Sequence, residues 1–208
     1  MFTKEFTEAT LLFLMLFNPF LMSVYLGSLI RDLSVGEFFS VLLRATIISM
    51  VVFGLFAVSG DSVFTTVLRV DFFSFLIFGG VIFLILAIQI LFQGSDAIQM
   101  IRGGSAEHLA GSVAMPFMIG PGTISASVWS GTSLGPAYGV LSILVGMSLG
   151  VVSLLIFKLI HDLIRDRNQR LLERYFDISG RISALWIGTF AIQMILSGIK
   201  DSRILIGN

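Results

Sequence analysis

Residues 109–157 read LAGSVAMPFMIGPGTISASVWSGTSLGPAYGVLSILVGMSLGVVSLLIF, with no Asp, Glu, Lys, Arg or His from Leu109 to Phe157. One helix crosses the hydrocarbon core of a bilayer with about 20 residues. This run is therefore too long for one span and too apolar for a soluble domain. It divides at Trp129–Tyr138, a polar turn cluster with an interfacial aromatic at each end.

The rest of the chain has the same character. Of its 208 residues 56% are hydrophobic and 12% charged, and the mean hydropathy is +0.98. A soluble domain carries about 25% charged residues. The composition excludes a soluble enzyme, a secreted disulfide scaffold and a disordered tail, and implies an all-α polytopic membrane protein. The 13 Lys+Arg balance the 13 Asp+Glu, so nothing argues for nucleic acid. Zero Cys and two His leave no thiolate chemistry and no histidine metal cluster.

Gaps between charges mark the remaining spans. They run from Glu8 to Arg31, from Glu37 to Asp61 with Arg44 inside, from Asp71 to Asp96, and from Arg181 to Lys200. Six helices result, at roughly 9–30, 38–60, 72–95, 109–128, 139–160 and 179–199. No soluble domain remains. Lys158 to Asp177 mixes charges with apolar residues at helical spacing. It reads as a helical extension near the membrane surface, or as a solvated connecting helix. The first span is not expected to be a cleaved signal, since Glu5 and Glu8 precede it and no small-x-small site follows. Arg31, Arg102, Lys158, Arg165, Arg167, Arg170 and Arg174 fall on one side and Lys4, Arg69, Lys200 and Arg203 on the other. The positive-inside rule then places both termini outside. Arg44 is expected to snorkel to the cytoplasmic interface. Alternatively it lines the cytoplasmic vestibule and meets a substrate carboxylate or Asp96.

The chain repeats itself. Ala87-Ile88-Gln89-Ile90-Leu91-Phe92-Gln93-Gly94 returns as Ala191-Ile192-Gln193-Met194-Ile195-Leu196-Ser197-Gly198, 104 residues later. Asn18-Pro19 has its counterpart in Gly120-Pro121-Gly122, 102 residues on from proline to proline. Two matches nearly in register indicate a duplication, with residues 1–104 as one three-helix repeat and 105–208 as the other. Three spans are an odd number, so the second repeat enters from the opposite side. Such inverted repeats place a binding site at their interface near the bilayer midplane.

Of the four prolines, Pro19, Pro116 and Pro121 lie inside spans 1 and 4, the equivalent helices, and Pro136 lies in the turn. Proline has no N–H and collides with the carbonyl four residues earlier. Pro19 thus frees the Met15 carbonyl, Pro121 that of Phe117 and Pro116 that of Ser112. A lone proline in a membrane helix is commonly a structural kink. Two breaks at matched depth are what a transport site needs, because half-helix N-termini attract anions and freed carbonyls attract cations. A zwitterionic amino acid uses both. The candidate substrate-binding residues are Asn18, Pro19, Ser23, Gly120, Pro121, Gly122 and Thr123, with Gln89 and Gln193 on spans 3 and 6. The alternative for each Gln is interhelical hydrogen bonding. Gly146 and Gly150 suit close helix packing within the chain.

At these residues the chain resembles the MarC family, six-span neutral amino acid transporters that include the SnatA proteins. Ala114-Met115-Pro116-Phe117-Met118-Ile119-Gly120-Pro121-Gly122-Thr123-Ile124 is similar to that family's second-half motif, and Asn18-Pro19 sits where its first-half motif begins. Gly79-Gly80 before Ala87-Ile88-Gln89, and the closing Ala191–Gly198 segment, also match. One departure is Phe20-Leu21-Met22-Ser23-Val24-Tyr25, which lacks the Gly and second Pro that usually follow Asn-Pro. The resemblance implies a multi-pass protein of the cytoplasmic (inner) membrane that carries small neutral amino acids such as glycine or alanine.

The expected function is alternating-access transport of glycine, alanine, serine or threonine. Neither broken helix carries a mid-span charge to match a third charge on the substrate. The alternatives are a channel-like small-solute pore and a membrane protein without transport activity. No enzyme is expected, since the central stretches of spans 1, 3, 4, 5 and 6 lack Asp, Glu and His. No cofactor is expected. A coupling ion, Na+ or H+, stays open, as do the oligomeric state and the direction of transport.

Overall fold

The computed structural model describes residues 2–60, 62–93, 118–165 and 169–206. Among the described residues every regular element is helical. They are α1 Phe2–Phe17, α2 Pro19–Tyr25, α3 Gly27–Asp32, α4 Val35–Ser59, α5 Phe72–Gln93, α6 Pro121–Leu134, α7 Pro136–Arg165 and α8 Gln169–Ile206. A π-helical turn, Val63–Leu68, joins α4 to α5. Five segments of the described residues are long and apolar enough to span a bilayer: Thr3–Tyr25, Val35–Ser59, Phe72–Gln93, Pro136–Ile164 and Ile178–Ser202. The first of them contains α1 and α2.

Three boundaries differ from the sequence reading. Trp129–Leu134 is not a turn but the end of α6, and the chain reverses at Gly135, where φ is 79°. Hydroxyls in and just before this stretch bond inside their own helix, whereas Ser130 Oγ is buried among the described residues without a hydrogen-bond partner. Ser125 Oγ donates to the Pro121 carbonyl at 2.7 Å, Ser127 Oγ to Thr123 at 2.7 Å, and Thr132 Oγ1 contacts the Val128 and Trp129 carbonyls at 3.0 Å. A hydroxyl satisfied this way does not end a helix in an apolar medium. The Lys158–Asp177 stretch is divided between the end of α7 and the start of α8. The 38 residues of α8 extend about 57 Å at ~1.5 Å per residue, so this helix projects beyond the hydrocarbon core. The expected fourth span, 109–128, is described only from Met118 onward. Pro116, Asp96, Arg102 and the 104/105 repeat boundary lie outside the described residues.

The helices pack through glycines. A Cβ on Gly131 of α6 would overlap the Ala57 carbonyl oxygen of α4. On α5, a Cβ on Gly80 would come 2.8 Å from the Ala191 carbonyl of α8, and one on Gly198 of α8 would come 2.8 Å from the Phe73 carbonyl. Gly146 and Gly150 of α7 face Phe13 and Phe17 of α1, so that pair does serve packing within the chain. Close backbone approach through small residues is the usual means of helix association in a bilayer. The resulting contacts join α5 to α8, α4 to α7 and α1 to α6, with α1 also on α7 and α4 also on α6. Phe13, Phe17, Phe38, Phe53, Ile143 and Met147 fill the centre, Phe13 meeting Phe53 edge-on at 5.1 Å. Outward faces are apolar too: Val51, Leu55 and Val58 on α4, Phe78 and Ile88 on α5, and Leu185 on α8 are exposed. Solvent would penalise such a surface; acyl chains do not.

Candidate substrate site

The first span is interrupted at Asn18, whose φ of 44° and ψ of 78° are left-handed. Pro19 begins α2 with no N–H to offer, so the ladder of α1 stops where Asn18 N–H reaches the Leu14 carbonyl at 2.9 Å. The Asn18 side chain caps α2, its Oδ1 accepting from Leu21 N–H at 3.1 Å. Asparagine suits the position twice, tolerating the left-handed conformation and supplying an N-cap acceptor. Asn18→Gly should therefore lower stability by a few tenths of a kcal/mol, and Asn18→Ala by about 2 kcal/mol, losing both the cap and the backbone tolerance. Thermal unfolding in detergent checks this. Asn18→Ala melting above Asn18→Gly would refute the account.

The second proline-glycine segment is also built around a cap. Gly120 is extended (φ −118°, ψ 166°) and α6 starts at Pro121. Thr123, buried at the third helical position, reaches back: its Oγ1 accepts from Gly120 N–H at 2.9 Å and lies 2.9 Å from the Met118 and Gly120 carbonyls. The first N–H groups of a helix have no acceptor within it. At α6 those are Gly122 and Thr123, since Pro121 has none.

Both caps border one cavity of about 270 Å³. Met15, Leu16, Phe17 and Asn18 line it from the end of α1, and Leu21, Met22 and Tyr25 from α2. Gly120, Gly122 and Thr123 line it from the start of α6. The remaining wall is Ile82, Phe83, Ile85, Leu86 and Gln89 of α5 with Trp186, Ile187 and Phe190 of α8. Of the residues singled out from sequence, Asn18, Gly120, Gly122, Thr123 and Gln89 come together here. Pro19, Ser23, Pro121 and Gln193 are not among the lining residues. Ser23 is buried, with its hydroxyl on the Phe20 carbonyl at 2.6 Å. The Pro121 ring packs where a side chain on Gly79 would otherwise stand. Gln193 is exposed and donates to Ser197 Oγ at 3.3 Å. Arg44 is exposed on α4, away from the lining.

Sequence reading missed the apolar wall, though a signal for it was present. Ile82 and Trp186, Phe83 and Ile187, and Leu86 and Phe190 are each separated by the same 104 residues as Gln89 and Gln193. Stepping back by helical spacing from each Gln would have found all three pairs. It also missed a buried charge. Lys158, assigned to a loop, is 1% exposed on α7. Its ammonium donates to the Ile30 carbonyl of α3 and to Asp162 Oδ1, both at 2.7 Å. His161 Nδ1 lies 3.3 Å from the same carboxylate oxygen.

The profile of the MarC family integral membrane proteins matches residues 3–202. The UPF0056 membrane protein PH0214 of Pyrococcus horikoshii is 23% identical over 197 residues, covering 94% of this chain and 93% of that protein. No solved structure gives a significant match. With helices long and apolar enough to cross a bilayer several times, and a family match over nearly its whole length, the chain belongs to the MarC family of integral membrane proteins.

Proposed function

We propose that this protein transports small neutral amino acids across the cytoplasmic membrane by alternating access. The observation that carries the reading is the shared cavity of Asn18 and the start of α6, which sets two half-helix ends of opposite polarity against one space. The Gly122 and Thr123 N–H groups, at the positive end of α6, suit a carboxylate. The closing carbonyls of α1, released by Pro19, suit an ammonium. Gln89 and Asn18 add amide groups to the lining. Among the described residues the cavity lining includes no Asp, Glu, Lys, Arg or His, so a third substrate charge would find no partner among them.

The inverted repeat is part of this proposal. Its support is the packing of equivalent helices on one another, α1 on α6, α4 on α7 and α5 on α8, together with the paired lining positions at the 104-residue offset. In this arrangement both termini lie outside, and the ends of α3 and α7 face the cytoplasm.

Purified protein in liposomes should take up glycine, alanine, serine and threonine, and should exclude lysine, arginine, aspartate and glutamate. Trans-acceleration by unlabelled substrate on the far side distinguishes a carrier from a pore. Imposed Na+ and H+ gradients identify any coupling ion. Robust lysine or glutamate uptake would sink this account of the site.

A further inference from the structure

Lys158 stands outside the cavity and has no part in holding a zwitterion, yet it is one of the most deeply buried side chains of the described residues. A buried ammonium is retained only where its hydrogens and its charge are both matched. Here the match comes from two places. Asp162, one turn on in α7, supplies the counter-charge, and the Ile30 carbonyl, in the last turn of α3, supplies a neutral acceptor. That carbonyl is at the negative end of its helix, which favours a cation. The bond from Lys158 to Ile30 spans 128 residues of sequence.

Its position in the fold gives it a task. The cavity wall formed by Asn18, Leu21, Met22 and Tyr25 continues through Leu26 into α3, and Ile30 is its far, buried end. α7 holds this rod at two neighbouring residues: Phe157 packs edge-on against Phe20 at 5.9 Å, and Lys158 bonds Ile30. The position equivalent to Lys158 in the first half, 104 residues earlier, is Gly54, where a side chain would meet open space. The charged tie therefore exists at this position and not at its repeat counterpart. His161 shares the Asp162 oxygen, and Arg31 and Asp32 form an exposed pair beside Ile30.

We infer that Lys158, held by Asp162, is a latch that closes the cavity at the α3 end by pinning the α2–α3 rod of the first half to α7 of the second. This rests on the alternating-access reading, since a latch has meaning only where the rod moves. Lys158 is a positioning residue and touches no substrate.

The chain has no cysteine, so a single Leu21→Cys places one reactive thiol on the cavity wall. A membrane-impermeant maleimide is applied to vesicles of either orientation. Lys158→Met should raise the labelling rate from the α3 side by about tenfold, the shift produced by losing one charge-assisted bond across a two-state gate. The rate from the opposite side should stay level or fall. General loosening would raise both. A folded Lys158→Met protein labelling at the parental rate from both sides, or faster from both, overturns the latch. Should Lys158→Met fail to fold, Asp162→Asn, which removes only the counter-charge, decides by the same readout. Because labelling needs no substrate, failure of neutral amino acid uptake in the parent would refute the transport proposal and leave this result standing.

Discussion

Gly131→Ala should leave little folded protein. A Cβ at Gly131 would coincide with the Ala57 carbonyl oxygen and press on the Ala57 Cα. The obstacle is helix backbone, which cannot rotate away as a side-chain tip can. Overpacking of a tight core costs about 1–3 kcal/mol, occasionally more, and a backbone obstacle puts Gly131→Ala at the upper end. The interface concerned joins α4 to α6, the helix whose start borders the cavity. Gly54→Ala is the matched control. It lies in the middle of α4 with open space around it, and removing a helical glycine there should gain about 0.5–1 kcal/mol. Monodisperse yield and melting temperature in detergent measure both. Equal behaviour of the two variants would mean that α4 and α6 do not approach as closely as Gly131 requires.

The same residues show what a sequence can and cannot disclose. Spans were legible because a bilayer imposes one rule on every stretch, enough apolar residues between charges. The rule failed where a charge was neutralised locally. Lys158 opens the stretch read as a surface or connecting helix, two residues before the expected end of span 5, because an unpaired lysine belongs near the interface. The Lys158–Asp162 spacing of one helical turn hinted otherwise, but the Ile30 carbonyl is distant in sequence. The turn before span 5 was drawn too wide for a related reason, since Ser and Thr look alike whether they face water or bond their own helix. The Asn18 break was legible through Pro19, whose chemistry is local. Gln193 illustrates the limit of a repeat. It matches Gln89 in sequence, yet Gln89 borders the cavity and Gln193 pairs with Ser197 on the outer surface. A duplication predicts equivalent positions, whereas a cavity on one side of an interface admits only one of each pair. The apolar partners at 82 and 186, 83 and 187, and 86 and 190 escape this limit because α5 and α8 pack on each other and both line the same cavity.

On the transport proposal, Thr123→Val is expected to lower alanine uptake by more than about tenfold, whereas Thr123→Ser retains it. Valine keeps the shape and the β-branch but removes the hydroxyl. That oxygen is the acceptor for Gly120 N–H and meets the Met118 and Gly120 carbonyls, all at 2.9 Å in a buried setting. Its loss strands at least one buried donor and one buried acceptor, each costing about 1–3 kcal/mol. The hydrocarbon around the protein cannot supply replacements. Relaxation would be local: Gly120 has no side chain to anchor it, so the segment before Pro121 would turn to find other partners. Gly122 and Thr123, which border the cavity, would then shift with it. A donor displaced from a developing or bound charge by even a small distance loses most of its effect. Serine restores the hydroxyl, and with it the cap, at the cost of one methyl group. The measurement is initial uptake of radiolabelled alanine in liposomes containing equal amounts of monodisperse protein, with substrate-induced thermal stabilisation as a second readout. Thr123→Val should fall by more than about tenfold in uptake, the equivalent of ~1.4 kcal/mol at the substrate carboxylate, and should lose the stabilisation by alanine. Thr123→Val transporting at the rate of Thr123→Ser would show that the start of α6 is a structural cap alone, and the carboxylate would have to be sought elsewhere along the cavity.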